Sequence, residues 1–384
     1  MLPKIYLFST DKLTCIYPTE YLLSNHKLIV WQNNPLHAHV LQFCKQWLTG
    51  QETFTLQTSG STGKPKTIHL TRQQMQASAK LTQTALGLQQ GMKCLVCLHT
   101  HYIAGMMMLV RALEIGMDIY FVPPSANPLE VLHKTQITHL DFASFVPLQL
   151  QTILQPSPQG QYYVNLLNQM QVILVGGAAV SAKLTQALQN LQVPVYQSYS
   201  MTETVSHIAL QLLNTPQKQP YFQTLPNINI AQDERNCLII EGEVTNYQKI
   251  ITNDIVQLLD KDKFIFLGRA DNIVNSGGIK IQLETIEQTI EQIWQHLNYE
   301  NRFFAFPLPD ELLGQRIVLF VESTPLQTID YEQIKKLFPT YFAQKYAIPK
   351  QIFVLERFIE TPTQKIDKKR TVETYLQTNS HKAI

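Results

Sequence analysis

Gln171-Val172-Ile173-Leu174-Val175-Gly176-Gly177-Ala178 reads as a short apolar strand stopped by two glycines. A helix is expected to begin around Ser181 and a second strand to run over 193–198. Short apolar runs bounded by turn residues, with helices between them, suit a parallel sheet covered on both faces. The alternation continues towards the N-terminus. Pro156-Ser157-Pro158-Gln159-Gly160 is a loop, a helix starts at about Pro147, and a strand lies near 138–143. Asn127-Pro128-Leu129-Glu130 combines a capping residue, a first-turn proline and an acid, which marks a helix start. Before it the pattern predicts strand 117–122, helix 104–115, strand 92–98 and a helix from the capping box Thr71-Arg72-Gln73-Gln74 to about Leu86. Residues 1–50 carry little signal, and His37 and His39 read as surface or core histidines.

This repetition argues for an α/β chain whose large layered N-terminal domain is built on mostly parallel sheets. Ligands in such sheets bind beyond the carboxyl ends of the strands. Gly176, Gly177, Ala178 and the residues after 193–198 would lie there. Strand-rich sequence returns over 237–267 and ends at Gly268-Arg269. After Asp271 the character changes. Gly277 and Gly278, helix 284–296, strands 302–306 and 316–321, helix 330–338 and strand 351–355 would make a smaller α+β C-terminal domain. The expected division is 1–270 and 271–384.

The 384 residues leave room for about two to three domains. Apolar residues at 45% and charged residues at 16% describe an ordinary globular protein, and 31 basic against 29 acidic side chains give no electrostatic case for nucleic acid. The N-terminus lacks the charged start and apolar core of a signal peptide, and no apolar run is long enough to span a bilayer, so a cytoplasmic location without membrane insertion is expected. Five cysteines, an odd count, fit reduced thiols. Cys94-Leu95-Val96-Cys97, with His99 and His101 after it, has the outline of a metal motif. Residues three apart on a strand point to opposite faces, so the two sulfurs are expected to be core thiols and not ligands of one ion.

Thr58-Ser59-Gly60-Ser61-Thr62-Gly63-Lys64-Pro65-Lys66 packs hydroxyls, glycines and lysines between strand-like stretches at 52–57 and 67–70. Glycines let backbone N–H groups approach an anion, hydroxyls donate to it, and lysines supply charge. It is a phosphate-binding loop by composition. It is not a Walker A loop: Gly60 to Gly63 is too short a spacing, and Pro65 stands where the magnesium-binding hydroxyl belongs.

Four later stretches fit one site with it. Tyr199-Ser200-Met201-Thr202-Glu203 follows a buried strand and offers an aromatic face for a base, a hydroxyl for a phosphate and a carboxylate for Mg²⁺. Asp254, in an expected turn at Thr252-Asn253-Asp254, suits ribose hydroxyls, and Arg269 stands close to the second domain. Lys365 lies on an expected turn near the C-terminus. Taken singly, each is as readily a surface turn, a core tyrosine or a solvated lysine. Their order, with phosphate loop, Tyr-x-x-Thr-Glu, Thr-x-Asp, Gly-Arg-x-Asp and a late lysine, resembles the acyl-adenylate-forming superfamily of acyl-CoA synthetases, luciferases and adenylation domains over roughly residues 52–370. Met201-Thr202-Glu203-Thr204-Val205-Ser206-His207-Ile208-Ala209-Leu210, Thr252-Asn253-Asp254-Ile255-Val256 and the run from Asp271 through Gly277-Gly278 to Ile281 are most similar to the short bacterial o-succinylbenzoate–CoA ligases of menaquinone biosynthesis.

The resemblance implies two half-reactions with ATP, Mg²⁺ and CoA. A substrate carboxylate attacks the α-phosphorus of ATP, and the CoA thiol then attacks the mixed anhydride. It gives Lys365 the charge-stabilising role, Thr202 the α-phosphate, Glu203 the metal, and Thr58, Ser59, Gly60, Ser61, Thr62, Gly63, Lys64 and Lys66 the outer phosphates. Gly176, Gly177, Ala178 and Tyr199 would meet adenine, Asp254 and Arg269 the ribose, Asp271 would be a hinge for a mobile C-terminal domain, and Gly277 and Gly278 would face CoA. Tyr102, Ser206 and His207, the last two on an expected helix, are the acyl-pocket candidates, whereas Arg111 reads as a structural ion-pair partner. An aromatic carboxylic acid is the implied substrate. A carrier-protein acceptor in place of CoA, and a nucleotide-binding protein without turnover, are the other readings. The chain departs from the superfamily pattern at Ser200, Gln364, Leu283 and Tyr102, and with the phosphate loop near residue 60 a shortened first subdomain is expected.

Overall fold

A computed structural model describes residues 2–9, 13–17, 34–57, 67–324, 329–361 and 365–379. The larger of its main sheets has thirteen strands. Six of them, Ile5–Phe8, Asp118–Phe121, Lys93–Val96, Phe142–Phe145, Val172–Val175 and Val195–Ser200, run parallel side by side. Helices Pro35–Leu48, Arg72–Leu86 and Ile103–Ile115 pack on one face through Trp47, Met75 and Leu109. Helices Leu129–Lys134, Pro147–Ile153, Gly160–Asn168 and Ala182–Leu188 pack on the other through Leu132, Leu150, Leu166 and Leu184. The strand period of two sends Cys94 and Val96 into the first core and Leu95 and Cys97 into the second. The two sulfurs therefore lie on opposite sides of the sheet, and no cluster of three or more His, Cys, Asp or Glu side chains that could hold an ion occurs among the described residues.

The α/β class is as expected, but the parallel order covers only this part of the sheet. Beyond Val195–Ser200 come His207–Leu212, Phe222–Thr224, Lys263–Arg269, Ile250–Asp260, Cys237–Glu241 and Asn229–Gln232, all antiparallel. The reason is covalent. Parallel neighbours need a crossover connection, whereas the chain from 207 to 269 joins its strands by short links such as the Asp260 to Lys263 hairpin. Helix Pro35–Leu48 lies in the stretch that carries little sequence signal, although Asn34 caps its N-terminus and Pro35 fills its first position.

A separate sheet orders Ile279–Gln282, Ile273–Ser276, Gly314–Glu322 and Phe303–Asp310, with Gln351–Leu355 parallel to Gly314–Glu322. Helices Leu283–Leu297 and Tyr331–Tyr341 cover one face through Ile290, Trp294 and Phe338. On the other face Phe304, Phe320 and Phe358 meet Val372 of helix Lys368–Asn379. No helix among the described residues is long and apolar enough to cross a membrane.

Strand Val195–Ser200 is held at its start by fully buried Asn214. Its Oδ1 accepts the Val195 N–H at 2.8 Å, and its Nδ2 donates to the carbonyls of Val193 and Leu191 at 2.8 and 3.2 Å. Asn214→Ala strands these groups without partners, and urea unfolding should show a loss of about 3 kcal/mol, at the cost of one to three per unsatisfied buried group.

Candidate active site

A cavity of about 780 Å³ opens beyond the carboxyl ends of strands Phe142–Phe145, Val172–Val175 and Val195–Ser200. Gly176, Gly177 and Ala178 line it where the second of these strands stops. A Cβ on Gly176 would stand 2.1 Å from Ser198 Oγ and push that hydroxyl aside, and Gly177 has φ +83, a backbone conformation that favours glycine. Tyr199, Thr202 and Glu203 line the cavity from the end of the next strand. Thr204 Oγ1 accepts the Met201 N–H at 3.2 Å and donates to Ser206 O at 2.8 Å, which folds 201–206 into a tight turn. Val205 takes φ +66 in it, an uncommon conformation for a β-branched residue. That turn is why Ser206 and His207 are not on a helix: His207 begins strand His207–Leu212.

Asp254 is likewise not in a turn. It lies within strand Ile250–Asp260, opposite Arg269 at the end of Lys263–Arg269. The Tyr199 hydroxyl donates to Asp254 Oδ2 at 2.5 Å and Arg269 Nη1 to Oδ1 at 2.9 Å. Burial pushes the Asp254 carboxyl up, while these two donors pull it down without cancelling the rise. Arg269 also grips Asp271 with two bonds of 3.0 Å, which raises its own pKa further. The Tyr199 ring packs edge-on against Phe264 at 5.1 Å.

Lys365 reaches the same cavity from the C-terminal region, as does Asp271. Lys365 sits at the base of a hairpin in which Thr361 N–H donates to Lys365 O, and Asp367 N–H to Ile359 O, both at 2.8 Å. Desolvation lowers its ammonium pKa, although the residue keeps an exposed surface and solvent screens part of that effect.

The far wall holds Tyr102, Ser206, His207 and Arg111. Arg111 is 2% exposed and has no carboxylate partner among the described residues, so the expected structural ion pair is absent. Instead Nε donates to Thr82 Oγ1 at 3.1 Å, and Nη2 donates to Ser206 Oγ at 2.6 Å and approaches His207 Nδ1 at 3.4 Å. Burial lowers the Arg111 pKa to about 10, so the group remains charged at neutral pH. A guanidinium only donates, so His207 Nδ1 must carry the lone pair and Nε2 the proton, which then goes to Thr82 Oγ1 at 3.1 Å. Thr82 is free to accept it because its own hydroxyl donates to Ser78 O at 3.0 Å. Burial, with the Arg111 charge beside it, keeps His207 neutral. Tyr102 meets His99 edge-on at 6.2 Å.

The residues expected at adenine, ribose, α-phosphate, hinge and acyl pocket thus share one cavity. The phosphate loop of residues 58–66 lies outside the described residues. Gly277 and Gly278 form the turn between Ile273–Ser276 and Ile279–Gln282, with φ +61 and +81, and do not line the cavity. Arg111 is the addition to the cavity wall, with Thr82 as its hydrogen-bond partner. A lone arginine in Met106-Met107-Met108-Leu109-Val110-Arg111 was the available signal, since a charge in so apolar a run is buried for a reason.

Comparison with known proteins agrees with this arrangement. Residues 20–240 match the family model described as AMP-binding enzyme. The solved structure of an acyl-CoA synthetase (AMP-forming)/AMP-acid ligase II-like protein from Dyadobacter fermentans is 42% identical, with a TM-score of 0.59 and coverage of 89% of this chain and 95% of that one. The 2-succinylbenzoate–CoA ligase of Staphylococcus epidermidis is 27% identical over 343 residues, 82% of this chain and 68% of that protein. In fold, the chain is similar to the o-succinylbenzoate coenzyme A synthetase of Bacillus subtilis solved with ATP and magnesium ion, at 22% identity, a TM-score of 0.68 and coverage of 83% and 69%. With more than half of its length matched by the family model and a 42% identical relative aligned almost end to end, the chain belongs to the AMP-binding, adenylate-forming enzymes and is an acid–thiol ligase of the AMP-forming acyl-CoA synthetase type.

Proposed function

We propose that the protein converts an aromatic dicarboxylic acid, o-succinylbenzoate, to its CoA thioester with ATP, a step of menaquinone biosynthesis. The observation that carries this reading is Arg111, a buried guanidinium on the cavity wall whose hydrogen bonds among the described residues all go to neutral groups. A buried charge without a counter-ion is costly, and a substrate carboxylate supplies one. An acid with a single carboxylate would present it to the phosphorus and leave Arg111 uncompensated; a second carboxylate answers that charge. Relatives such as the Staphylococcus epidermidis protein carry the same substrate in their names.

In this reading Lys365 neutralises charge that grows between the α-phosphate and the attacking carboxylate. No general base is needed, because a carboxylate is already a nucleophile at neutral pH. Thr202 bonds the α-phosphate. Glu203 would hold Mg²⁺, which when bound would neutralise phosphate charge. The 58–66 loop holds the outer phosphates. Tyr199 with Gly176, Gly177 and Ala178 surrounds adenine, and Asp254 with Arg269 takes the ribose. For the second half-reaction the residues from 271 onward turn about Asp271, which withdraws Lys365 and brings Gly277 and Gly278 to the CoA side.

Exchange of pyrophosphate into ATP should be fastest with o-succinylbenzoate among a panel of carboxylic acids, and adding CoA should yield its thioester; exchange with other acids alone would overturn the substrate. Arg111→Met should raise the KM for o-succinylbenzoate about a hundredfold, as expected for truncating one partner of a buried charge pair, with the KM for ATP unchanged and the melting temperature not lowered. Lys365→Ala should reduce adenylate formation at least a thousandfold and spare thioester formation from supplied adenylate, as stopped-flow assays of the separate half-reactions would show.

A further inference from the structure

Outside the cavity, the most developed ionic network lies behind the lysine hairpin. Arg302 precedes strand Phe303–Asp310 and Glu322 ends strand Gly314–Glu322, so the two face each other across adjacent strands. Arg302 Nε and Nη2 clasp both Glu322 oxygens at 2.5 and 2.8 Å. Its remaining arm, Nη1, reaches Glu360 Oε1 at 2.6 Å. Glu360 is the residue whose backbone pairs with Ile366, at the base of the hairpin that carries Lys365. Glu322 Oε1 also accepts the Phe358 N–H at 2.7 Å, just before the hairpin. Burial opposes the Glu322 charge, but Arg302 and the Phe358 N–H outweigh it and hold the carboxyl below its usual range. The outgoing leg has its own tie: Lys368 donates to Glu287 Oε1 at 2.6 Å, on helix Leu283–Leu297.

We propose that Arg302, Glu322 and Glu360 are positioning residues that bolt the Lys365 hairpin to the C-terminal sheet and so set where the ammonium stands for adenylation. The inference rests on the role given to Lys365 above. A lysine is long and flexible, so the place of its Nζ depends on how firmly its backbone is held. Two forked bonds to Glu322 fix the guanidinium plane, which leaves Nη1 pointing at Glu360. None of the three acids and bases lines the cavity, so their effect on rate passes through Lys365.

The test separates the half-reactions, using ATP, labelled pyrophosphate and the acid that exchanges fastest in the panel above. Glu360→Gln should lower kcat for adenylation about ten- to a hundredfold, the scale of an ångström-sized misplacement, with the KM for ATP within about twofold. Thioester formation from supplied adenylate should stay at the wild-type rate. Arg302→Lys should retain more adenylation than Arg302→Met. In a Lys365→Ala background Glu360→Gln should add no further loss, because the two act through one group. Equal losses in both half-reactions, a wild-type adenylation rate in Glu360→Gln, or additive losses would overturn the proposal. If Lys365→Ala itself adenylates normally, the reading of Lys365 has failed and amide hydrogen exchange decides the rest. Glu360→Gln should speed exchange at Thr361 and Asp367 at least tenfold while Phe304 and Leu319 keep their protection; unchanged exchange at the hairpin would overturn the bolt.

Discussion

Strand Val195–Ser200 is hydrogen-bonded in parallel to Val172–Val175 on one edge and antiparallel to His207–Leu212 on the other. Everything at the site depends on that double pairing. The parallel edge lines up its carboxyl end with those of its neighbours, where the cavity opens. The antiparallel edge obliges the chain to reverse within 201–206, which places Thr202 and Glu203 at the mouth and sends Ser206 and His207 back along the wall. Ser198 lies so close to Gly176 that a Cβ there would displace its hydroxyl.

The cavity is divided electrostatically. At one end the Asp254 carboxyl is held between a phenol and a guanidinium, which together offset part of the cost of its burial. At the other, Arg111 is bound by Thr82, Ser206, the Met108 sulfur and a histidine kept neutral, with no carboxylate partner among the described residues. The first end carries its own counter-charge. In the proposed reading the second end is completed by a substrate carboxylate, and such preorganisation is how binding sites differ from cores that merely fold.

Much of the fold could be read from local patterns, because period-two alternation and glycine-terminated apolar runs report buried strands directly; the opposite facing of Cys94 and Cys97 is an instance. The misreadings share a cause. Thr252-Asn253-Asp254 carries turn-forming residues, yet pairing with Lys263–Arg269 keeps it extended. Nothing in the identity of Val205 announces a left-handed backbone. The partners of Arg111 lie 29, 95 and 96 residues away in sequence, so local pattern could show a misplaced charge but not what surrounds it. Asn214, which ties a strand to the connection before it, was silent for the same reason.

Arg269 divides its guanidinium between Asp254, on the main sheet, and Asp271, where the C-terminal region begins. A ligand that engages Asp254 changes what remains for Asp271. If the C-terminal region turns about Asp271 as proposed, occupancy of the cavity and the orientation of that region would be linked through one side chain. Linkage is reciprocal: whatever factor a nucleotide exerts on the balance between orientations, each orientation must return in its affinity for the nucleotide. Release of AMP after thioester formation would then be a thermodynamic counterpart of the rotation and not a separate event.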